Sequence, residues 1–156
     1  MLLRDKVELE ELYPLMAEVI ENGGTFRFYP RGQSMEPMLV QGRDSVELGK
    51  AEDIKIGDVV FYRRTNGQFV LHRIVAMHNG LYTMSGDNHG TWMEHGIAPR
   101  QILFKLVGFY IGEEYHSVEE EEYKKYSAKR LSSIPFYYRN SAIHSFLRKV
   151  KHFIFK

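Results

Sequence analysis

The chain has 156 residues, of which 44% are hydrophobic and 26% charged; this composition is typical of one globular domain and excludes a disordered chain or two ordinary domains. Its formal net charge of +1 at pH 7 gives no overall attraction for nucleic acid, which we therefore do not expect as a partner. The lack of cysteine excludes disulfides, a thiol nucleophile and a cysteine-ligated zinc site.

The N-terminus and the hydropathy of the chain bear on where the protein works. Arg4, Asp5, Lys6 and Glu8 interrupt the start of the chain, so we expect no signal peptide. No stretch approaches the roughly 18 to 20 apolar residues that cross a membrane. The sequence therefore predicts a cytoplasmic protein whose only membrane contact would be peripheral, at the inner surface.

Residues 1–24 are predicted to form an N-terminal helix. Apolar residues recur at helical spacing between positions 5 and 21, and Gly23 and Gly24 follow as a stop signal. Pro14 leaves two interpretations open: one helix that the proline kinks, or a shorter helix that begins near Tyr13 with the proline in its first turn.

Residues 25–112 have the pattern of a β-rich core. Six segments have the residue types of short strands, without helices between them: TFRFY, SVELGK, DVVFYRR, FVLHRIVAM, LYTMS and ILFKLVGFYI. The Asn66-Gly67 and Asn79-Gly80 pairs predict tight hairpins with positive φ at both turn residues. The fold class is therefore mainly β, with a small, coiled, partly closed antiparallel sheet.

Residues 113–156 form a charged extension of the same domain, which we expect to be largely helical. Six glutamates lie between positions 113 and 122, whereas residues 139–156 contain five Arg or Lys, no acid, and apolar residues at helical spacing. One interpretation is a terminal helix that packs on the core. The other is a basic amphipathic helix that lies on an anionic membrane.

Ser34 is the candidate nucleophile. It follows Gly32 and Gln33 in the segment PRGQSMEPML, and the apolar residues after it, Met35, Pro37, Met38 and Leu39, are predicted to anchor the turn. A serine attacks a carbonyl only when a neighbouring base takes its proton. Because residues 56–104 contain no lysine, histidine is the better candidate for that base.

His72, in FVLHRIVAM, is the candidate base, and Asp87, in SGDNHG, is its candidate partner. A carboxylate on the second imidazole nitrogen would hold the tautomer in which the first nitrogen accepts a proton. Each residue alone also has a structural interpretation, because histidine in an apolar strand often packs in a core and Gly-Asp-Asn is a favourable turn. The ordered set of serine, histidine and aspartate favours catalysis.

In this order the motifs resemble the signal peptidase superfamily, which includes the LexA-type self-cleaving proteases. SMEPML resembles its nucleophile box, and IKIGDVVFYRR resembles the segment in which a Gly-Asp pair opens the next strand. LHRIV and GDNHGTWMEHGI are similar to the endoplasmic-reticulum, archaeal and sporulating-bacterial branch, which has histidine where the other bacterial branch has lysine. The resemblance covers about residues 25–111.

The resemblance implies a serine endopeptidase with a coiled β-barrel fold of the LexA and signal peptidase type, and no cofactor. Its Ser-His dyad of Ser34 and His72, oriented by Asp87, would cleave an extended leader-like or signal-peptide-like substrate paired with an open strand edge. Small substrate side chains near the cleaved bond are typical of the family. The Ser34 backbone N–H would stabilise the oxyanion. Further expected substrate or oxyanion contacts are Gly32, Gln33, Met35, Arg73 and Glu94.

The chain departs from the family pattern at three points. Gly32 stands where many bacterial signal peptidases have a hydroxyl side chain that stabilises the oxyanion. The acid that follows Gly-Asp-Asn is Glu94 and not an aspartate, so Glu94 is the alternative to Asp87 as the partner of His72. We also expect no counterpart of the family's membrane anchor, because no segment of this sequence is long and apolar enough to serve as one.

Other interpretations of these residues remain open. Arg31 and Arg73 are either ordinary surface charges or groups that bind a substrate carboxylate or carbonyl. Trp92 and Met93 either line a substrate groove or cap the end of the sheet. The residues His78, His89, His95, Asp87 and Glu94 have no familiar metal-ligand spacing, so no metal site is predicted.

Three classes of function therefore compete. The leading hypothesis is a peptidase acting on another peptide; self-cleavage is disfavoured because no Ala-Gly or Cys-Gly pair precedes Ser34. Gly32 and the missing anchor would also suit a peptide-binding module of the same fold with little catalysis. A third hypothesis is a membrane-surface adaptor that binds through residues 139–156.

Overall fold

The computed structural model describes residues 2–3, 8–140, 143, 145–146 and 149–150. The described part is mainly antiparallel β-sheet, with one helix between its first two strands and helices after its last strand, which confirms the predicted mainly-β class with N-terminal and C-terminal helices. The strand at Leu2–Leu3 corrects the prediction of a helix over the whole of residues 1–24. The elements in chain order are β1 (Leu2–Leu3), α1 (Leu9–Glu21), β2 (Phe26–Phe28), β3 (Ser45–Lys50), β4 (Val59–Arg63), β5 (Phe69–His78), β6 (Leu81–Ser85), β7 (Glu94–Ile97), β8 (Ile102–Ile111), β9 (Glu114–Ser117), α2 (Glu121–Ser132) and α3 (Phe136–Arg139).

The strands form one sheet in the order β1-β2-β3-β8-β4-β5-β6-β7, with β9 paired to β8. Strands β4 to β7 are a meander, but β8 returns to lie between β3 and β4. Only the β1–β2 pair is parallel among the described strands. No pairing joins β1 to β7 in the described chain, so the sheet is open. The predicted partial closure into a barrel is therefore wrong.

The two Asn-Gly pairs form different turns. Asn79 (φ +51°) and Gly80 (φ +73°) connect β5 to β6 with both residues in the left-handed region, as predicted. At the other pair only Gly67 has positive φ (+91°), because the β4–β5 loop is longer and Gly67 N–H closes a turn on the Arg64 carbonyl at 2.9 Å. The tight hairpin predicted there is wrong.

Helix α1 covers one face of the sheet. It runs through Pro14 without interruption, which favours the interpretation of one continuous helix. Its buried residues Leu12, Met16 and Ile20 pack in the main core with the aromatic side chains of β2, β4 and β8. Each such side chain contributes about 1.5 to 3 kcal/mol by leaving water, so burial of this face holds α1 on the sheet.

The C-terminal extension begins differently from the prediction and then follows it. Strand β9 was not predicted, because its short, polar sequence EYHS pairs with β8 without an alternating apolar pattern. Helix α2 follows as expected and packs beside β5, through contacts described below. The predicted basic helix over 139–156 lies largely outside the described residues, and none of the described helices has the length and apolar character needed to cross a membrane.

Candidate active site

Ser34 lies in the loop between β2 and β3, in a turn closed by a 3.1 Å hydrogen bond from the Glu36 N–H to the Gln33 carbonyl. Gly32, two residues earlier, has φ +91°, a conformation that favours glycine. Its N–H donates to Oε1 of Gln41 at 2.9 Å. Gly32 therefore directs the backbone into the Ser34 turn, a role that no hydroxyl residue would fill without strain.

The residues after Ser34 anchor this turn in the core. Met35, Met38 and Leu39 are all buried in the main cluster, as the sequence predicted. Pro37 is exposed, so its predicted part in the anchor is wrong. The nucleophile candidate is half-buried, and the residue that follows it is fixed by packing.

The Gly-Asp-Asn segment holds Ser34 from the other side. The Asn88 N–H donates a hydrogen bond to the Ser34 carbonyl at 2.9 Å. A Cβ on Gly86 would lie 2.5 Å from that carbonyl oxygen and 2.9 Å from Nδ1 of His89. Gly86 is therefore required for the close approach of the two loops, and the segment resembling the family's final box positions the serine.

Ser34 and His72 line the same cavity, which has a volume of about 280 Å³ and is called the Ser34 cavity below. Its walls are the segment around Ser34, the first residues of β5, and the side chains of Arg64 and His89. Among the described residues, no hydrogen bond joins Ser34 to His72. Such bonds often tighten only when a substrate is bound, so the shared cavity is the relevant geometry.

A second set of contacts fixes the imidazole of His72, which is 4% exposed. Its Nδ1 lies 3.4 Å from the hydroxyl oxygen of Tyr62. Tyr62 donates its own proton to Oε1 of Glu94 at 2.6 Å, and Arg64 Nε donates to the other Glu94 oxygen at 2.7 Å. Because the Tyr62 proton is engaged with Glu94, Tyr62 accepts from His72 Nδ1–H, which leaves Nε2 unprotonated.

The surroundings keep His72 neutral. Burial lowers the pKa of His72 to about 4, and the charges of His89 and Arg64 act in the same direction, while Asp87 opposes them. Burial and the bond to Glu94 raise the pKa of Tyr62, so its hydroxyl keeps its proton. At neutral pH His72 is therefore an unprotonated base with one nitrogen hydrogen-bonded and the other free for a substrate-side proton.

Asp87 has a different partner from the one predicted. Its two oxygens accept hydrogen bonds from Nε and Nη2 of Arg73 at 2.9 and 2.8 Å, and Tyr126 donates to Oδ2 at 2.9 Å. No hydrogen bond joins it to His72 within the described chain. The carboxylate therefore holds Arg73, and the orienting group on His72 is Tyr62 bound to Glu94.

Arg73 is fully buried and serves the fold. The bonds and charge of Asp87 raise the pKa of Arg73 despite burial, which acts to lower it. Its Nη1 donates to the Gly57 carbonyl at 2.8 Å and to Ser127 Oγ at 2.9 Å. Neither predicted role, surface charge or substrate contact, holds, because Arg73 has no exposed surface and does not line the Ser34 cavity.

Helix α2 is attached to the loop that holds Ser34. Arg130 donates from Nη2 to the carbonyls of Gly86 and Gly90, both at 3.1 Å. Together with Tyr126 and Ser127, this places two consecutive turns of α2 against the Arg73–Asp87 pair and its loop. The C-terminal extension is thus part of the support of the site.

The remaining predicted contacts divide between the cavity and the surface. Gly32 and Met35 line the Ser34 cavity, whereas Gln33 is exposed and does not. Arg31 is exposed at the cavity wall. Trp92 is 49% exposed, and its ring packs edge-on against His89 at 5.2 Å. Within the described residues, no three histidine or acidic side chains come together as metal ligands.

Three residues of this arrangement were not singled out as active-site groups from the sequence: Tyr62, Arg64 and His89, which was considered only as a metal ligand. His89 packs edge-on against His72 at 5.1 Å between ring centres, and its buried Nδ1 has no partner in the described structure. The pairing of the two predicted strands could have identified Tyr62 as a neighbour of His72. The β4–β5 register puts Val60 opposite His72, so Tyr62 is the diagonal neighbour of His72 on the same sheet face.

No family model, curated protein or solved structure matches this chain. The functional conclusion therefore depends on the chemistry of the site itself.

Proposed function

We propose that this chain is a serine endopeptidase that cleaves an extended peptide, with Ser34 as nucleophile and His72 as general base and then general acid. One observation carries the proposal. Ser34 and His72 line one cavity, and the Tyr62–Glu94 pair engages Nδ1 of His72, so Nε2 is the nitrogen left to take the Ser34 proton.

The reaction needs only groups of this chain and a water molecule. Ser34 Oγ attacks the peptide carbonyl as its proton passes to His72 Nε2, and His72 then protonates the leaving amine as the C–N bond breaks. Water next attacks the acyl ester, giving its proton to His72, which returns it to Ser34 Oγ as the ester bond breaks. The backbone N–H groups of Ser34 and Met35 have no acceptor among the described residues, and they supply the donors for the oxyanion.

An open strand edge supports an extended substrate. The first part of β5 pairs with β4 on one side, whereas β6 pairs with β5 only from Arg73 onward. No described strand covers the other edge of residues 69–72, which leads directly into His72 and borders the Ser34 cavity. A peptide that adds as a strand at this edge would bring its backbone carbonyls past Ser34.

The alternative function is a peptide-binding module with little catalysis. It is favoured by the lack of a Ser34–His72 hydrogen bond in the described structure and by the low pKa of His72, which makes the imidazole a weak base. The same open edge would serve binding. The two functions differ only in whether Ser34 is needed for bond cleavage.

Cleavage of a peptide library tests the choice. We expect wild type to cleave members of the library, and Ser34→Ala and His72→Gln each to reduce the rate about 10³-fold or more. Ser132→Ala, an exposed serine on α2, is the matched control and should cleave like wild type. Cleavage by Ser34→Ala at the wild-type rate, or no cleavage by any variant, would reject the peptidase proposal.

We place this activity in the cytoplasm, with residues 139–156 as a peripheral contact to anionic lipid. Five cations and no acid in that segment support the contact. Sedimentation with phosphatidylserine vesicles should recover the full chain, and a chain that ends at residue 138 should remain in the supernatant. Equal sedimentation of the two chains would reject the membrane contact.

A further inference from the structure

A second cavity of about 370 Å³ adjoins the Ser34 cavity. The two cavities share the residues Pro30, Arg31, Gln68, Phe69 and Leu71, so they are neighbouring parts of one groove. The groove runs between the segment that leads from β2 to Ser34 and the first residues of β5. We call the second part the Phe69 cavity.

The Phe69 cavity has apolar walls. Phe28, Phe61, Phe69 and Leu71 come from the sheet, and Leu9 and Leu12 come from the start of α1. The walls are braced by aromatic packing, since Phe61 stacks on Phe69 at 5.3 Å and contacts Phe28 edge-on at 5.9 Å. A cavity with these walls is preformed and suits an apolar group.

The charged groups of the Phe69 cavity lie at its exposed rim. Glu8 and Glu10 are exposed, and Glu10 pairs with Arg63 at 3.1 Å. Arg31, also exposed, stands at the boundary with the Ser34 cavity. A side chain that enters between these groups therefore leaves water for apolar contacts, while the peptide backbone stays near polar groups at the surface.

We propose that the Phe69 cavity is a specificity pocket for a bulky apolar substrate side chain such as leucine, methionine or phenylalanine. This inference rests on the proposed function. In an extended peptide, residues i and i+2 point to the same face about 7 Å apart, which matches two adjoining cavities. The pocket thus reads the residue two positions from the one whose carbonyl Ser34 attacks. This departs from the small side chains that the resemblance implies.

Binding and cleavage are measured separately, so that the pocket and the catalysis can fail independently. The Ser34→Ala variant, which cannot form the acyl ester, is used for affinity selection from a peptide library. We expect leucine, methionine or phenylalanine to be enriched about tenfold or more over alanine at one position, because each added buried methylene increases affinity several-fold. Wild type should cleave the same peptides two residues from that position.

A substitution that narrows the pocket gives the matched test. Leu9→Trp would fill the Phe69 cavity and should reverse the preference toward alanine. Leu15→Trp is the control, because Leu15 lies on the same helix, is equally half-buried and packs on the same core without lining the cavity. The control should keep the wild-type preference.

Each outcome decides one point. Selection of alanine, no selection, or equal selection by the two tryptophan variants would overturn the pocket, whatever the cleavage result. Selection of bulky residues without any cleavage by wild type would reject the peptidase and leave the pocket as a peptide-binding site. If only a chain lacking residues 1–7 selected bulky peptides, the occupant would be the chain's own N-terminal segment, and the proposal would be overturned.

Discussion

Asp87 binds Arg73 through two hydrogen bonds of 2.8 and 2.9 Å, and both side chains have no exposed surface. Arg73 directly follows His72, the candidate base, and Asp87 lies in the segment that holds Ser34, so the pair connects the two parts of the site. It is also hydrogen-bonded to α2, since Tyr126 donates to Asp87 and Ser127 accepts from Arg73. The pair is therefore a junction between three parts of the chain that are distant in sequence.

Breaking this pair should destabilise the protein strongly. Asp87→Asn leaves the Arg73 charge buried without a counter-charge, which is expected to lower the free energy of unfolding by about 3 to 5 kcal/mol. Urea unfolding followed by circular dichroism measures the loss. The matched control is Glu10→Gln, which breaks the exposed Arg63–Glu10 pair and should cost only about 0 to 1 kcal/mol. Similar losses in the two variants would contradict the junction.

Tyr62 is predicted to be a positioning residue for His72. Tyr62→Phe removes the acceptor for His72 Nδ1–H, so we expect kcat to fall about tenfold with little change in KM. Imidazole ¹⁵N spectra give a direct readout: wild type should show one protonated nitrogen, Nδ1, and the variant a mixture of tautomers. Arg63→Gln, on the neighbouring strand position and at the surface, should alter neither quantity. An unchanged tautomer in Tyr62→Phe would reject the role.

The pKa of His72 sets the acid limit of activity. Only the neutral imidazole takes the Ser34 proton, so kcat/KM should fall as the pH drops through the pKa of His72 in the free enzyme. Because burial lowers that pKa to about 4, the limb is expected near pH 4 to 5 and not near 6.5. The rate of peptide cleavage between pH 3.5 and 8 measures it. A limb centred at 6.5 would mean that His72 is solvated in the working enzyme.

The same shift predicts how stability depends on pH. The unfolded imidazole binds a proton below about pH 6.5, whereas the folded one binds it only below about 4, so folding loses stability as the pH falls between these values. Protonation of His72 lowers the free energy of unfolding by about 3 kcal/mol once the pH is below 4, and it costs no stability above pH 6.5. His72→Gln should flatten the pH dependence of unfolding in this window. His78→Gln, at the far end of β5, controls for the loss of an imidazole and should keep the slope that His72 produces.

Gly86 is predicted to be essential for the position of Ser34. Gly86→Ala places a methyl group 2.5 Å from the Ser34 carbonyl oxygen, so the two loops must separate and cleavage should fall about 100-fold, as expected when a catalytic group is displaced by about 1 Å. Gly90→Ala is the control in the same loop. It meets no neighbouring atom within 4 Å, and only its φ of +59° is strained, which costs about 1 kcal/mol of stability. Equal activity of the two variants would contradict the role of Gly86.

Much of the fold was predictable because it follows from local patterns. Alternating apolar residues located six of the strands, and helical spacing located α1, since both periodicities express which face of an element is buried. The strand β1 was missed because residues 1–24 were predicted to be helical, and strands β7 and β9 were missed as well. The sequences of β7 and β9, EHGI and EYHS, are short and polar, and they are strands only because a neighbouring strand offers its edge.

The candidate site was predictable in part. The sequence singled out Ser34 and His72 as the reacting pair, and the structure places both at one cavity. It also singled out Asp87 and Arg73, but both were assigned the wrong role. A carboxylate in a turn and a guanidinium in a strand have many potential partners, and sequence order does not say which of them burial will bring together.

The sequence by itself determined the types of element, the order of the motifs and the presence of a serine and a histidine that can react. Only the tertiary structure decided that Asp87 pairs with Arg73 and that Tyr62, bound to Glu94, orients His72. The physical reason is desolvation: once Arg73 is buried it requires a counter-charge, and the aspartate within reach satisfies it. The His72 imidazole then contacts Tyr62, which the register of β4 and β5 places beside it.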